Sequence, residues 1–174
     1  YAILNDHHNG NLYSPDLSEH MLSCRVPSHT KEFVGRTTEL KLAYSKLDEH
    51  SLLFVTGVPG IGKSEFAKMF AAKYKKKYTN IIFLHYAGSL KKCIAGIEFD
   101  NDIAEMDEEA LFHSHYDILK RLHSDSLIIL DNFNVLPKDD GLMREFLKNN
   151  YQLLVTTRCR ITTFETLEIK ELDK

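Results

Sequence analysis

Short, continuous apolar runs alternate along the chain with stretches whose apolar positions recur every three to four residues. "SLLFVTG" (51–57), "IIFLHY" (81–86), "SLIILD" (126–131) and "YQLLVTTR" (151–158) are runs of the first kind. They are too short for helices and lack the polar alternation of a half-exposed strand, so each reads as a strand buried on both faces. "FETLEIKEL" (164–172) is a weaker fifth. Among the periodic stretches, "RTTELKLAYSKLDE" puts Leu40, Ala43, Tyr44 and Leu47 at helical spacing, with Thr37 and Thr38 as candidate caps. "KSEFAKMFAAKYKKKY" does the same with Phe66, Met69, Phe70 and Tyr74, and "DEEALFHSHYDILKRLH" (107–123) with Leu111, Ile118, Leu119 and Leu122. "GLMREFLKNN" (141–150) reads as a short helix. Buried strands alternating with amphipathic helices predict an α/β protein, a three-layer fold around a mostly parallel, five-stranded sheet.

Residues 1–30 mix Asn, His, Ser, Pro and Gly with no sustained period. They read as a linker or the tail of a preceding domain, and residues 31–174 as the folded unit. The sequence starts at Tyr1 and stops in "LEIKELDK" without a closing element, which reads as a piece of a longer protein.

Composition narrows the class. The 174 residues are 43 % hydrophobic, enough to bury one core. A formal charge of −3 gives no electrostatic case for nucleic acid or an anionic membrane as the main partner. Cys24, Cys93 and Cys159 are odd in number and widely spaced. They argue against a disulfide framework and for a reducing, cytoplasmic compartment. No apolar run approaches the length of a bilayer span.

The chemistry begins with "FVTGVPGIGKSEFA" (54–67). Gly57, Gly62, Lys63 and Ser64 satisfy G-x-x-x-x-G-K-[ST], the phosphate-binding loop, in the strand-loop-helix context it requires. Glycine lets successive N–H groups turn inward around a phosphate chain, and the following helix aims its positive end at the same anion. Lys63 is expected to reach the β- and γ-phosphates, and Ser64 to offer its hydroxyl to Mg²⁺. The expected ligands are ATP or ADP with Mg²⁺; a guanine-reading N-K-x-D motif is missing from the sequence. Asp131 ends an apolar strand, where α/β sheets bind ligands, and is the expected metal-side carboxylate, acting through water. The next residue is Asn132, where a hydrolytic enzyme often has a second acid. An amide cannot act as a general base near neutral pH, so slow hydrolysis is expected. "LLVTTR" puts Thr156, Thr157 and Arg158 at another strand end, suited to the γ-phosphate or an attacking water. The lysines of "KYKKKY" (73–78) read as a helix terminus. His113 and His115 are two apart and do not share a helical face as metal ligands would.

Together these pieces resemble the NB-ARC and related STAND ATPases. "FVGRTTEL" (33–40) looks like their hhGRxxEL motif, "GVPGIGKSEFA" their phosphate loop, "LIILDNF" their metal-binding strand and "LLVTTR" their sensor strand. The resemblance runs from about Phe33 to Leu172. It implies that Val34, Gly35 and Arg36 lie beside the adenine, and that the loop from Gly57 through Pro59, Gly60, Ile61, Gly62, Lys63, Ser64 and Glu65 holds the phosphates. It further implies that Asp131 holds Mg²⁺ and that Arg158 senses the γ-phosphate. The implied function is a switch in which ADP holds a closed state and ATP permits assembly. The helical and winged-helix domains that follow in such proteins are absent from this sequence, and they join nucleotide and further copies of the chain among the expected partners. A DNA-linked ATPase of the AAA+ or initiator type is the alternative, marked by a nucleic-acid-stimulated rate. A small-molecule kinase would need an acceptor site and an arginine-rich lid, and neither is visible.

Overall fold

A computed structural model describes residues 13–30 and 35–171. The strands are β1 (Leu52–Thr56), β2 (Asn80–His85), β3 (Ser126–Asp131), β4 (Gln152–Thr156) and β5 (Thr166–Glu168). The helices are α1 (Thr37–His50), α2 (Lys63–Tyr74), α3 (Leu90–Ala95), α4 (Glu108–Leu119) and α5 (Met143–Phe146). The strands make one sheet in the order β2-β3-β4-β1-β5. Every pairing is parallel, where a mostly parallel sheet was expected. All strands therefore end on the same edge, and β4 lies between β1 and β3.

Strand periodicity divides the core into two layers. Leu53, Val55, Leu127, Ile129 and Leu154 face α1 and α2, against Leu40, Leu47, Phe66 and Phe70. Their neighbours Phe54, Ile128, Leu130, Leu153 and Val155 face the opposite side, with Leu90, Ile94, Phe112 and Leu119 of α3 and α4. With both faces covered, an interior strand has no solvent side to mark with polar residues, which explains the unbroken apolar runs.

The local differences have physical causes. Neither Thr37 nor Thr38 caps α1; the N-cap is Arg36, in a left-handed conformation (φ 63°) and without a side-chain cap bond. α3 escaped periodicity because it is only six residues long; Ser89 caps it by accepting from the Lys92 N–H. α5 is a single turn inside the longer stretch read as helix. The described part of the N-terminal segment, residues 13–30, packs along the β2 edge. Leu17 and Met21 are buried in the α3–α4 layer, and Cys24 O accepts from the Phe83 N–H at 2.8 Å. That contact uses a backbone donor the edge strand would otherwise expose.

Candidate functional site

The loop after β1 is shaped by two glycines. A Cβ on Gly57 would lie 2.7 Å from Ile169 O, just beyond β5, so no other residue fits there without displacing backbone. Gly62 has φ 98° and N-caps α2 with no side-chain bond. The first N–H groups of α2 are thus left for an acceptor outside the helix. Lys63 Nζ donates to Gly57 O at 2.8 Å and Val58 O at 2.9 Å, bent back over its own loop. Burial lowers its pKa and the nearby Arg158 charge adds to that, while Asp131 opposes it.

Asp131 is buried at the end of β3. Its Oδ1 accepts from Ser64 Oγ at 2.8 Å and from Thr156 Oγ1 at 2.6 Å. Its Oδ2 lies 3.4 Å from His85 Nδ1 at the end of β2, with which β3 is in register. The strand order explains the trio: β4 intervenes between β1 and β3, so its last residue, Thr156, is placed to brace the carboxylate. A hydroxyl and a carboxylate this close, beside a helix N-terminus, form an all-oxygen set suited to a small hard cation. Among the described residues, no three His, Cys, Asp or Glu side chains converge as a metal site.

A cleft of about 320 Å³ opens at this edge, with Pro59, Gly60, Lys63 and Ser64 on one wall and Asn132, Asn134, Thr156 and Arg158 on the other. A larger groove of about 830 Å³ lies between the N-terminal segment and α2, lined by residues such as Leu17, Met21, Ala71 and Tyr78. Its lining also carries Arg25, His29, Lys68 and Lys75 but none of the phosphate-loop residues, so the loop rather than size marks the smaller cleft.

The remaining sequence-predicted residues are more scattered. Ile61 packs half-buried against the α1–α2 layer. The Glu65 side chain is engaged elsewhere, accepting from Lys68 Nζ at 2.7 Å and the Thr30 N–H at 2.8 Å. Those bonds, Lys68's first, hold its carboxyl below the usual range. What Glu65 can offer a ligand in the cleft is its backbone N–H. Gly35 and Arg36 do not line the cleft. Arg36 is buried at the start of α1, where Nη1 donates to Glu39 Oε1 at 3.2 Å and Nε has no partner among the described residues. Val34 lies outside the described residues. Thr157 Oγ1 accepts from the Cys159 N–H, closing the turn after β4. His115 is buried between Ile94 O (3.0 Å) and Asp102 Oδ1 (2.8 Å), joining α4 to the segment after α3.

Sequence reasoning passed over two residues at this edge. His85 is the last residue of a buried strand, and its place in "IIFLHY" was the available signal. Asn134 has no such signal: its part depends on the turn after β3, which meets Arg158 only in three dimensions.

A three-layer parallel sheet with a G-x-x-x-x-G-K-S loop and a carboxylate at a neighbouring strand end defines a P-loop NTPase. Within that class, residues 34–107 match the family Novel STAND NTPase 3. The match supports a STAND-class P-loop ATPase and a nucleotide-binding module. It includes the phosphate loop but stops short of Asp131 and Arg158. A search of curated proteins gives no match. Among 91 similar chains of solved structure is C. elegans PCH-2, at 13 % identity and a TM-score of 0.37. That likeness covers 76 % of this chain and 41 % of the PCH-2 chain.

Proposed function

We propose that the chain is the ATP/ADP-binding module of a cytoplasmic signalling or regulatory switch with slow, Mg²⁺-dependent ATP hydrolysis. The observation that carries this reading is the hydrogen-bonded trio of Ser64, Asp131 and Thr156 beside a loop whose lysine rests on its own carbonyls. A phosphate oxygen is a stronger partner for Lys63 than Gly57 O or Val58 O, since both partners then carry charge. In this reading the loop from Gly57 to Glu65 supplies backbone N–H groups to the phosphate chain, with Pro59 and Ile61 fixing its course. Val34, Gly35 and Arg36 belong to the adenine end.

Ser64 would hold Mg²⁺ directly and Asp131 through water, Thr156 keeping the carboxylate turned toward Ser64. When bound, the ion would offset charge on the phosphate oxygens. Arg158 reads the terminal phosphate, so ATP and ADP differ by contacts the protein can convert into a change of state. Asn132 supplies no base, which makes hydrolysis a slow reset. Exchange of ADP for ATP then permits self-assembly.

The test is mass analysis of the nucleotide retained by the purified protein, beside Lys63→Ala, followed by titration with ATP and ADP in Mg²⁺. Wild-type protein is expected to bind both, and Lys63→Ala roughly a hundredfold more weakly, as expected for losing charge-assisted bonds to phosphate. No binding at millimolar nucleotide would overturn the reading.

A further inference from the structure

Two amides follow Asp131, and the reading above gives neither a binding role. Asn132 has a left-handed backbone (φ 63°), a conformation asparagine tolerates better than most residues. Its N–H donates to Thr156 Oγ1 at 2.8 Å, and the residue is exposed on the cleft wall. Asn134 is half-buried two residues on.

One donor fixes the direction of both side chains. The Arg158 backbone N–H can only donate, and it meets Asn134 Oδ1 at 2.9 Å. Asn134 therefore turns its Nδ2 the other way, where it donates to Asn132 Oδ1. The Asn132 carbonyl is thereby engaged, and its Nδ2 is the end left for the cleft. At the position where a second acid would place an acceptor, this cleft receives a hydrogen-bond donor. A donor attracts a phosphate oxygen; a carboxylate would repel it and could instead take a proton from water. The same pair of bonds ties Asn132 to the backbone of Arg158, so displacement of either is felt by the other.

We propose that Asn132 is a specificity-determining residue whose amide donates to the terminal phosphate of ATP. Asn134 is the positioning residue that orients it and couples it to the Arg158 turn. The inference rests on the nucleotide reading above and adds to Arg158 a second contact by which ATP is told from ADP.

Two variants test the effect together. Asn132→Gly removes the donor without adding charge and suits the left-handed backbone. Asn134→Asp reverses the donor instead. Because Asn134 also lines the cleft and a carboxylate there would itself repel phosphate, the inference requires the ATP-to-ADP affinity ratio to fall in both. In Asn134→Asp the near-isosteric carboxylate still accepts from the Arg158 N–H, but it presents an acceptor to Asn132. The Asn132 amide must then turn over, pointing Nδ2 at Asp and Oδ1 into the cleft. Affinities for Mg²⁺–ADP and a non-hydrolysable Mg²⁺–ATP analogue are measured calorimetrically on the full chain. In both variants the analogue is expected to bind more weakly relative to ADP, roughly tenfold or more in Asn134→Asp, with ADP itself within about twofold of wild type. A melting curve checks each variant's fold. In wild-type protein, the side-chain NH₂ resonances of Asn132 should shift with the ATP analogue and stay put with ADP. Two bound nucleotides with an unchanged affinity ratio in either variant overturn the inference and leave the switch reading standing. So do Asn132 resonances that answer ADP and the analogue alike. Wild-type protein that binds neither nucleotide overturns the nucleotide reading, and this inference with it.

Discussion

Strand β3 has a cluster of Asp, Ser, Asn and Thr at each end, and the two clusters behave differently. At the start of β3, Ser126 donates to Ser14 Oγ and accepts from Asn80 Nδ2. Asn80 also donates to Pro15 O and accepts from the Leu17 N–H. Ser14 accepts from the His123 N–H and donates to Asp125. Each of these donors and acceptors is spent inside the chain, and the N-terminal segment is what they hold. At the far end, Asp131, Ser64 and Thr156 hold one another, but Asn132 and Arg158 remain exposed beside an uncapped helix start. Polar residues at a strand end do not by themselves mark a site. What separates the two clusters is whether the protein's own backbone has used up their bonding capacity.

The closed end should carry stability and the open end ligand affinity. Asn80→Ala tests this most severely. It strands the Leu17 N–H and deprives Pro15 O and Ser126 of their partner, in a buried setting. A loss of about 2–3 kcal/mol in unfolding free energy is expected, since unmet buried groups cost about 1–3 kcal/mol each and partial relaxation recovers some of it. Urea unfolding measures the loss, and nucleotide affinity of the folded fraction should be unchanged. A variant as stable as wild type would mean that the base cluster holds nothing.

Asp131→Asn makes the converse change at the open end. The amide keeps an acceptor for Ser64 and Thr156, so stability should move by less than about 1 kcal/mol. The carboxylate charge is gone, however, and with it the hard-cation partner. ATP affinity in wild-type protein should rise with Mg²⁺, and in Asp131→Asn the Mg²⁺-dependent part should vanish. Equal Mg²⁺ dependence in both proteins would remove Asp131 from the metal side.

The open end was far more legible in the sequence than the closed one. The phosphate loop declares itself because its glycines, lysine and serine are local, and β3 and β4 because their apolar runs end abruptly in Asp131 and Thr156-Thr157-Arg158. The all-parallel order could only be expected in outline, because apolar runs do not say which strand lies beside which. The base cluster was hidden, since Ser14, Asn80 and Asp125 are far apart in the chain and the first thirty residues have no period. Asn132 was visible as a missing acid. That it presents its NH₂ to the cleft was not, because its orientation depends on a backbone donor 26 residues away, across the sheet edge.

The smallest effect is expected where the two regions meet. The segment sealed against the base of β3 reaches Thr30, and Thr30 donates from both its N–H and its hydroxyl to Glu65 in the first turn of α2, beside the phosphate loop. Bonds from Lys68 and then Thr30 depress the Glu65 carboxyl below its ordinary 4.5. A depressed carboxylate stabilises the fold above its ordinary value, and that contribution disappears as pH falls through the depressed one. The Thr30 tether should thus hold at neutral pH and loosen only well into acid. Because the group is partly solvated, the whole contribution should stay under about 1 kcal/mol. Following the Thr30 amide resonance with pH makes this visible. It should titrate with a midpoint below 4.5 in wild-type protein and stay flat in Glu65→Gln, which keeps an acceptor without the charge. A wild-type resonance that is itself flat across that range would show that the carboxylate does not hold the segment, and would leave the sealed base and the open cleft mechanically independent.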